Sequence, residues 1–377
     1  MASARPADSP VPGQRRRAVG EETPEDREPP FLDLDRLEAR AREQLPAPVF
    51  DYYAGGAESE TTLGEATAAW RSWRLRPRVL RGVTSVALDT DLLGSRVGSP
   101  VGVAPWAYQG MAHADGERAT ARGAAAAGSL MTVSTSATNT LEEVAAETSG
   151  SPAWFQLYRL HSTAHTDDLA RRAGAAGYRA LVLTVDLPLL GRRRRDLRHD
   201  FALPAGLRMA NHPRTDGDEP SLEDLATATW TFDDVARFGE LSGLPVVVKG
   251  VLRGDDAVRC VEAGASAVWV STHGGRQVDP AVASAHALPE VVEAVGPDVE
   301  VYADGGIRSG SDVLTALALG ARAVFVGRPT IWGLATGGAD GVAGVLSGLA
   351  GELASTMALC GLDDVGSVPR DTVTPAR

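Results

Sequence analysis

Eight short apolar runs, each ending in small or polar residues, recur from residue 100 onward and limit the fold more than any other feature. They are PVGVAP (100–105), LMTVST (130–135), AWFQLY (153–158), ALVLTVD (180–186), LPVVVKG (244–250), AVWVSTHG (267–274), VEVYADGG (299–306) and AVFVGRP (323–329). Ala-rich amphipathic segments with polar starts lie between most of them, among them DGERATARGAAAAG, DDAVRCVEAGA and GSDVLTALALGA. Apolar strands alternating with helices build a parallel sheet. Eight such units are the number that closes a (β/α)8 TIM barrel. A doubly wound open sheet is the alternative, and it rarely needs eight units in unbroken alternation.

The barrel is expected over about 100–335, within a single domain spanning 31–377 that ends in further helices. Ahead of it, FLDLDRLEARAREQL has helical spacing and is expected to stop at Pro46 and Pro48. This gives a helical N-terminal extension. Residues 1–30 are rich in Pro, Arg and Glu and poor in large apolar side chains, so they are expected to be disordered. Arg15, Arg16 and Arg17 lack the apolar stretch that an export signal needs after them. The rhythm breaks once, between the fourth and fifth runs, where GRRRRDLRHDFALPAGLRMANHPRTDGDEP forms a long loop. After a barrel strand, such a loop is expected to hang over the active face as a lid.

The net charge is −12 and the pI about 5.1, which argues against a nucleic-acid partner. No run approaches the roughly 18 consecutive apolar residues of a bilayer span, so no membrane partner is expected. Cys260 and Cys360 fit no metal-binding or redox spacing, and a reduced, cytoplasmic setting is expected.

The C-terminal strand ends of a barrel form its active face. Those ends supply Ser134, Gln156, Tyr158, Thr184, Asp186, Lys249, His273, Asp304 and Gly327, with Arg193, Arg276, Gly306, Arg308 and Arg328 close behind. Any one of these is more often a cap than a catalyst. Their convergence on one face is what carries weight. DGGIRSGSDV and VGRP close the seventh and eighth runs, where barrels often hold phosphate on backbone N–H groups. The glycines admit an anion and Arg328 adds charge. No GxGxxG dinucleotide fingerprint follows the first run. A lone histidine is usually structural. His273, however, stands at a strand end, with Asp186 available to hold its imidazole. Arg193 and Arg276 suit a carboxylate clamp, and Lys249 suits an anionic reduced cofactor.

With these residues in place, the chain resembles the FMN-dependent α-hydroxy-acid oxidase and dehydrogenase family, the glycolate oxidase-like enzymes. The resemblance runs from about residue 31 to 370 and rests on FDYYAGGAESETTL, APWAYQGMAHADGE, FQLY, LTVDLPLLGRRRRD, VVVKGV, STHGGRQVD, ADGGIRSGSDV and FVGRP. It implies FMN as cofactor, a small 2-hydroxy acid and O2 as partners, H2O2 as co-product, and a homotetramer. It also implies His273 as the base, Asp186 as its carboxylate partner, and Arg193, Arg276 and Tyr52 around the substrate carboxylate. Tyr158 would hydrogen-bond at the reacting oxygen. Lys249 would lie near flavin N1 and O2. Ser134, Gln156 and Thr184 would contact the isoalloxazine, Pro105, Trp106 and Ala107 would place backbone against it, and Ser271 would face it. Asp304, Gly306, Arg308, Gly327 and Arg328 would meet the ribityl and phosphate groups.

Two positions depart from the family pattern. Thr272 stands where the family usually has Asn, beside the histidine. Ser136 stands where glycolate-type members carry a bulky Trp, which leaves room for an aryl group on the substrate. The APxAYQ stretch and Ser136 together resemble the 4-hydroxymandelate-oxidising members of antibiotic pathways. The expectation is therefore oxidation of an (S)-mandelate-type acid to the 2-keto acid. The competing readings are an aliphatic member of the family (a lactate oxidase, monooxygenase or dehydrogenase), an FMN-dependent isomerase on a similar barrel, and a non-catalytic flavin- or phosphate-binding protein.

Overall fold

A computed structural model describes residues 31–212 and 229–376. The N-terminal tail and the part of the long loop from Pro213 to residue 228 lie outside the described residues.

Eight parallel strands close into a barrel: β1 (Val101–Val103), β2 (Met131–Val133), β3 (Ala153–Leu157), β4 (Leu181–Thr184), β5 (Val246–Val251), β6 (Ala267–Val270), β7 (Glu300–Asp304) and β8 (Ala323–Val326). Each strand pairs with its sequence neighbour, and β8 returns to β1 through the Val324–Val101 register. The open-sheet alternative is thereby excluded. All eight apolar runs of the sequence appear as strands.

Period-two alternation divides each strand between two environments. Outward residues such as Val248, Val270 and Ala303 pack under the helical layer. Inward residues form a second, separate core of Trp154, Val182, Val247, Trp269, Tyr302 and Phe325. Tyr302 meets Trp269 and Phe325 edge-on, and the Trp269 and Phe325 rings, tilted by 31°, have centroids 4.0 Å apart. A small ladder of Thr90–Leu92 against Ser95–Val97 plugs the N-terminal mouth, placing Leu92 and Val97 in that inner core. The barrel floor is therefore filled by packed side chains, which leaves the C-terminal mouth for chemistry.

The N-terminal extension differs from the expectation in one respect. Helix α1 (Leu34–Gln44) ends where expected, but Pro46 and Pro48 begin a second helix, α2 (Ala47–Ala54). Proline lacks the N–H that the first helical turn leaves unbonded, so it is as compatible with a start as with a stop. Helix α3 (Thr61–Trp70) follows, and α2 and α3 carry Tyr52 and Trp70 to the barrel mouth. The crossover helices are α4 (Gly116–Ala126), α5 (Leu141–Ala146), α6 (Thr163–Ala175), α7 (Arg194–Arg198), α8 (Asp233–Ser242), α9 (Gly254–Glu262), α10 (Ser284–Val295) and α11 (Gly310–Ala318).

The last helix, α12 (Arg328–Leu359), is the one described helix long and apolar enough to cross a bilayer by length and composition. No unbroken apolar run marks it in the sequence, because Arg328, Asp340 and Glu352 interrupt it. In the fold it is kinked at Gly338, and its stripe of Val342, Val345, Leu346, Leu349 and Leu353 is buried. That spacing packs α12 against α1, α4 and α11.

Candidate active site

The same alternation that builds the floor also builds the site. Two residues beyond each inward core residue, the next inward position is polar or small. Trp154 is followed by Gln156, Val182 by Thr184, Val247 by Lys249, Trp269 by Ser271, Tyr302 by Asp304 and Phe325 by Gly327. A polar layer thus lies directly above an aromatic one. Lys249 Nζ donates to Ser271 Oγ at 2.8 Å and lies 3.1 Å from Asp304 Oδ2. Ser271 Oγ donates to Asp304 Oδ1 at 2.7 Å. All three are buried, so the lysine charge is balanced inside the protein.

Above this layer His273 Nδ1 meets Asp186 Oδ1 at 2.9 Å. The histidine has a left-handed backbone, φ 55°, in a short turn continued by Gly274 and Gly275, also at positive φ. A non-glycine residue there carries strain. The turn is held by His273 N donating to Ser271 Oγ at 3.0 Å. The buried Thr272 takes no part in that bond, so Ser271, and not the unusual threonine, fixes the histidine backbone. The bulge at Lys249–Val251 gives Gly250 a φ of 109°, and a side chain there would stand 2.6 Å from the Asp186 side chain. Gly250 therefore makes room for the carboxylate.

Burial lowers the His273 pKa below the ordinary imidazole value; Asp186 opposes the shift, and Lys249 and Arg193 add to it. The ring is thus neutral near pH 7 and able to accept a proton. Burial alone would raise Asp186, but His273 and Lys249 reverse this and leave it below the usual carboxylate range. Tyr158 Oη lies 3.5 Å from His273 Nε2, and burial, then Asp186, raises its pKa so that it stays a donor.

Arg276 is buried and gives its Nη1 hydrogens to Tyr52 O and, at 3.0 Å, to Gly55 O. Its Nη2 and Nε remain available to the cavity. Burial, and then the neighbouring Arg193, pulls Arg276 down to about 10. Arg193 Nε is buried without a partner. Two guanidinium groups side by side in one cavity make no ion pair among the described residues, with Asp196 the carboxylate that acts on both, and so suit an added anion. Two cations approach the Trp106 indole, Arg276 at 5.3 Å and Arg328 at 5.4 Å from the ring. Its side chain, and not only its backbone, is part of the site.

The cavity these groups line measures about 980 Å³, its open mouth included. Its far side is cationic. Burial, with Arg276 and Arg308 nearby, lowers Arg328 well below the ordinary guanidinium range, and Glu38 and Glu60 offset only part of this. Burial also lowers Arg308. Such a cluster is stabilised by a bound anion. Two buried polar atoms lower in the barrel, Gln156 Nε2 and Thr184 Oγ1, also lack partners. FMN matches both features, with a phosphate dianion at one end and a polar pyrimidine edge at the other. Arg308 and Arg328 would hold the first, and Gln156, Thr184 and Lys249 the second.

Most of the residues expected from the sequence meet at this cavity: Tyr52, Pro105, Trp106, Ala107, Ser136, Tyr158, Thr184, Arg193, Lys249, His273, Arg276, Asp304, Gly306, Arg308, Gly327 and Arg328 all line it. Ser134, Gln156 and Ser271 stand behind the lining. The Ser134 hydroxyl is already used, donating to Gln156 Oε1 at 3.3 Å and accepting from Ser136 N at 3.1 Å. Arg328, expected to offer its fork to phosphate, gives three of its N–H groups to the carbonyls of Tyr53, Ala54, Gly55 and Gly274, so two remain. The long loop does pass over the mouth through its described part. Phe201 stacks on Tyr52 with centroids 4.6 Å apart, and Met209 Sδ accepts from Tyr108 Oη.

Sequence reasoning missed two supporting side chains. Gln277 donates to Asp186 O and Leu189 O, both at 2.8 Å, and accepts from Gly191 N at 3.1 Å, pinning the β4 loop. Its signal was present, since it belongs to the STHGGRQVD stretch. Glu117, fully buried, accepts from Gln109 N, Thr138 N and Thr138 Oγ1 and so joins the loops carrying Tyr108 and Ser136. Its signal was also present, since it closes the APWAYQGMAHADGE stretch.

Comparison with known proteins gives a consistent result. The model of the FMN-dependent dehydrogenase family matches residues 41–375. The L-lactate oxidase of Nostoc sp. is 47% identical over 351 residues, covering 89% of this chain and 96% of that protein. The 4-hydroxymandelate oxidase of Amycolatopsis orientalis is 45% identical over 351 residues, covering 90% and 97%. A crystal structure of mandelate oxidase with (S)-2-phenylpropionate superposes with a TM-score of 0.84 at 44% identity, covering 91% of this chain and 98% of the other.

Proposed function

The chain belongs to the FMN-dependent dehydrogenase family, among its 2-hydroxy-acid oxidases, and from that premise we propose that it oxidises an aryl (S)-2-hydroxy acid of the mandelate or 4-hydroxymandelate type to the 2-keto acid, passing the electrons to O2 to give H2O2. The observation that carries the reaction class is the meeting, in one cavity, of a neutral carboxylate-backed imidazole with two guanidinium groups that make no ion pair among the described residues.

The residues divide the work as follows. Arg276, through Nη2 and Nε, and Arg193, through Nε, bind the substrate carboxylate and fix the α-carbon. His273 Nε2 takes a proton from the substrate, and Asp186 at Nδ1 holds the tautomer and stabilises the resulting imidazolium. Tyr158 Oη donates to the oxygen that becomes the keto group. Bound FMN supplies the two-electron acceptor. Lys249, buried against Asp304 and Ser271, places positive charge where the cofactor gains negative charge.

Ser136 supports the aryl choice. It lines the cavity, as do Tyr108, Leu187 and Leu190, and a serine there takes up less of it than an indole at that position would. The similarity to an L-lactate oxidase favours a second reading, with a small aliphatic substrate. Steady-state O2 consumption with (S)-mandelate, (S)-4-hydroxymandelate, L-lactate and glycolate separates the two. The aryl acids should lead in kcat/KM, and a lead for lactate or glycolate would overturn the aryl reading. Ser136→Trp should lower kcat/KM for mandelate about tenfold or more while sparing glycolate, as lost cavity volume penalises the larger group.

A further inference from the structure

The run GRRRRD sends one arginine into the cavity and three away from it. Arg193 lines the cavity. Arg192, Arg194 and Arg195 turn to the N-terminal segment, and Arg195 is the least exposed of the three. Its guanidinium forks onto Glu60, with Nε to Oε1 at 2.8 Å and Nη2 to Oε2 at 2.6 Å, and its Nη1 reaches Asp51 Oδ1 at 3.2 Å. His199 closes the far side of Asp51 at 2.8 Å, and Arg194 holds Glu58 at 2.8 Å.

The carboxylates involved are placed to matter. Asp51 directly precedes Tyr52, and Glu60 Oε1 also accepts from Gly56 N at 2.9 Å. The carbonyls of Tyr52 and Gly55, in the backbone between them, are the ones that hold Arg276 Nη1. Gly55 O also accepts from Arg328 at 2.8 Å. Two further backbone bonds tie the segments, Glu58 N to Arg192 O and Ala57 N to Gly275 O, both 2.8 Å. Arg195 therefore spans the gap between the helix that follows Arg193 and the backbone that seats Arg276. A surface ion pair is ordinarily worth little, but a bidentate fork shared by two carboxylates in a network is the exception.

We propose that Arg195 is a positioning residue, an ionic latch that sets the spacing of Arg193 and Arg276 and so tunes the affinity of the site for the substrate carboxylate. The proposal rests on the assignment of those two arginines as the clamp. Its expected signature is a change in KM larger than any change in kcat.

The test uses FMN-loaded full-length protein. Arg195→Gln should raise KM for the preferred 2-hydroxy acid about tenfold and change kcat less than about threefold. It should weaken binding of benzoylformate, followed by the flavin spectrum, by the same factor, with FMN content unchanged. Arg195→Lys should recover part of the loss. Glu60→Gln should give the same phenotype in smaller measure, since Asp51 still holds Arg195, and the double variant should be no worse than Arg195→Gln alone, because both remove the Arg195–Glu60 fork. Added NaCl should raise the wild-type KM more steeply than that of Arg195→Gln. Arg237→Gln removes the remote Arg237–Asp167 pair and should change nothing. Wild-type binding of benzoylformate with equal affinity in Arg195→Gln overturns the latch. An effect confined to melting temperature also overturns it. If the wild type itself bound no carboxylate, the clamp and the functional reading would fall first, which distinguishes the two failures.

Discussion

The two halves of the barrel mouth are built on opposite electrostatic plans. On the β4–β6 side the acid–base groups have partners: Asp186 faces His273, and Lys249 is balanced by Asp304 from β7. On the β7–β8 side Arg308 and Arg328 crowd toward Arg276 with carbonyls for company and no ion pair among the described residues. These acid–base pairs are in place before any ligand arrives, as preorganised acid–base chemistry requires. The β7–β8 half is completed by an anion. Catalysis and cofactor retention should therefore fail separately when each half is damaged.

The largest effect is expected from the paired half. His273→Ala removes the one imidazole among the described residues that line the cavity and should lower kcat about a thousandfold, within the usual range for a general base. The protein should stay yellow, since the cationic half is intact. Stopped-flow bleaching under anaerobic conditions checks this, and bleaching at the wild-type rate would remove the assignment. The same half predicts a pH profile. His273 works as the neutral base and its pKa is lowered, so kcat/KM should hold at pH 7 and fall on the acid side, with a midpoint below the ordinary imidazole value. A midpoint above that value would contradict the burial that sets it.

A smaller effect, confined to the cofactor, is expected from the cationic half. Arg308→Ala should weaken FMN binding by about ten- to a hundredfold, the cost of one charge-assisted contact of about 1.5–3 kcal/mol. Reconstituted holoenzyme should keep a kcat within a few-fold of wild type. FMN should raise the melting temperature of the apoprotein more than riboflavin does, and the difference should shrink in Arg308→Ala. Equal stabilisation by the two flavins would show that the arginines do not serve phosphate.

What could be read in the sequence followed the same division. Buried parallel strands show as apolar runs, so the strand ends, and with them His273, Lys249 and Asp304, stand out against their surroundings. Partners that act through side-chain type, such as Asp186, could be matched by chemistry. Partners that act through backbone could not, since any residue has a carbonyl. The seating of Arg276 and Arg328 on Tyr52, Tyr53, Ala54 and Gly55 was therefore invisible. So was the Arg195–Glu60 fork, because it joins residues 135 positions apart in a run that resembles an ordinary solvated charge cluster. The start of α2 at Pro46 and Pro48 was missed because proline marks helix beginnings and helix ends alike.

The smallest effect expected is on stability, at a seam joining the two halves. Helix α3 begins at Glu60 in a left-handed conformation, without a cap from its own side chain. Asp279, in the β6 loop, supplies the cap from a distance: Oδ1 accepts from Thr62 N at 2.7 Å, and Oδ2 from Thr61 N at 3.3 Å and Ser59 N at 3.1 Å. Burial would raise its pKa slightly, but the bonds from Thr62 and Ser59 bring it down to about 2. Its folded value thus lies below the unfolded one, so the contribution is full above the unfolded carboxyl pKa and is lost as pH falls through the folded value. Asp279→Ala should cost about 1 kcal/mol at pH 7, as loss of a helix cap does. The gap from wild type in urea denaturation should close between about pH 4 and pH 2. Activity should change little, since Ala57 N still binds Gly275 O and α3 keeps its packing on α10 and α11. A loss of activity as large as that of Arg195→Gln would mean that the β6 loop is held by Asp279, and that this cap belongs to the positioning machinery.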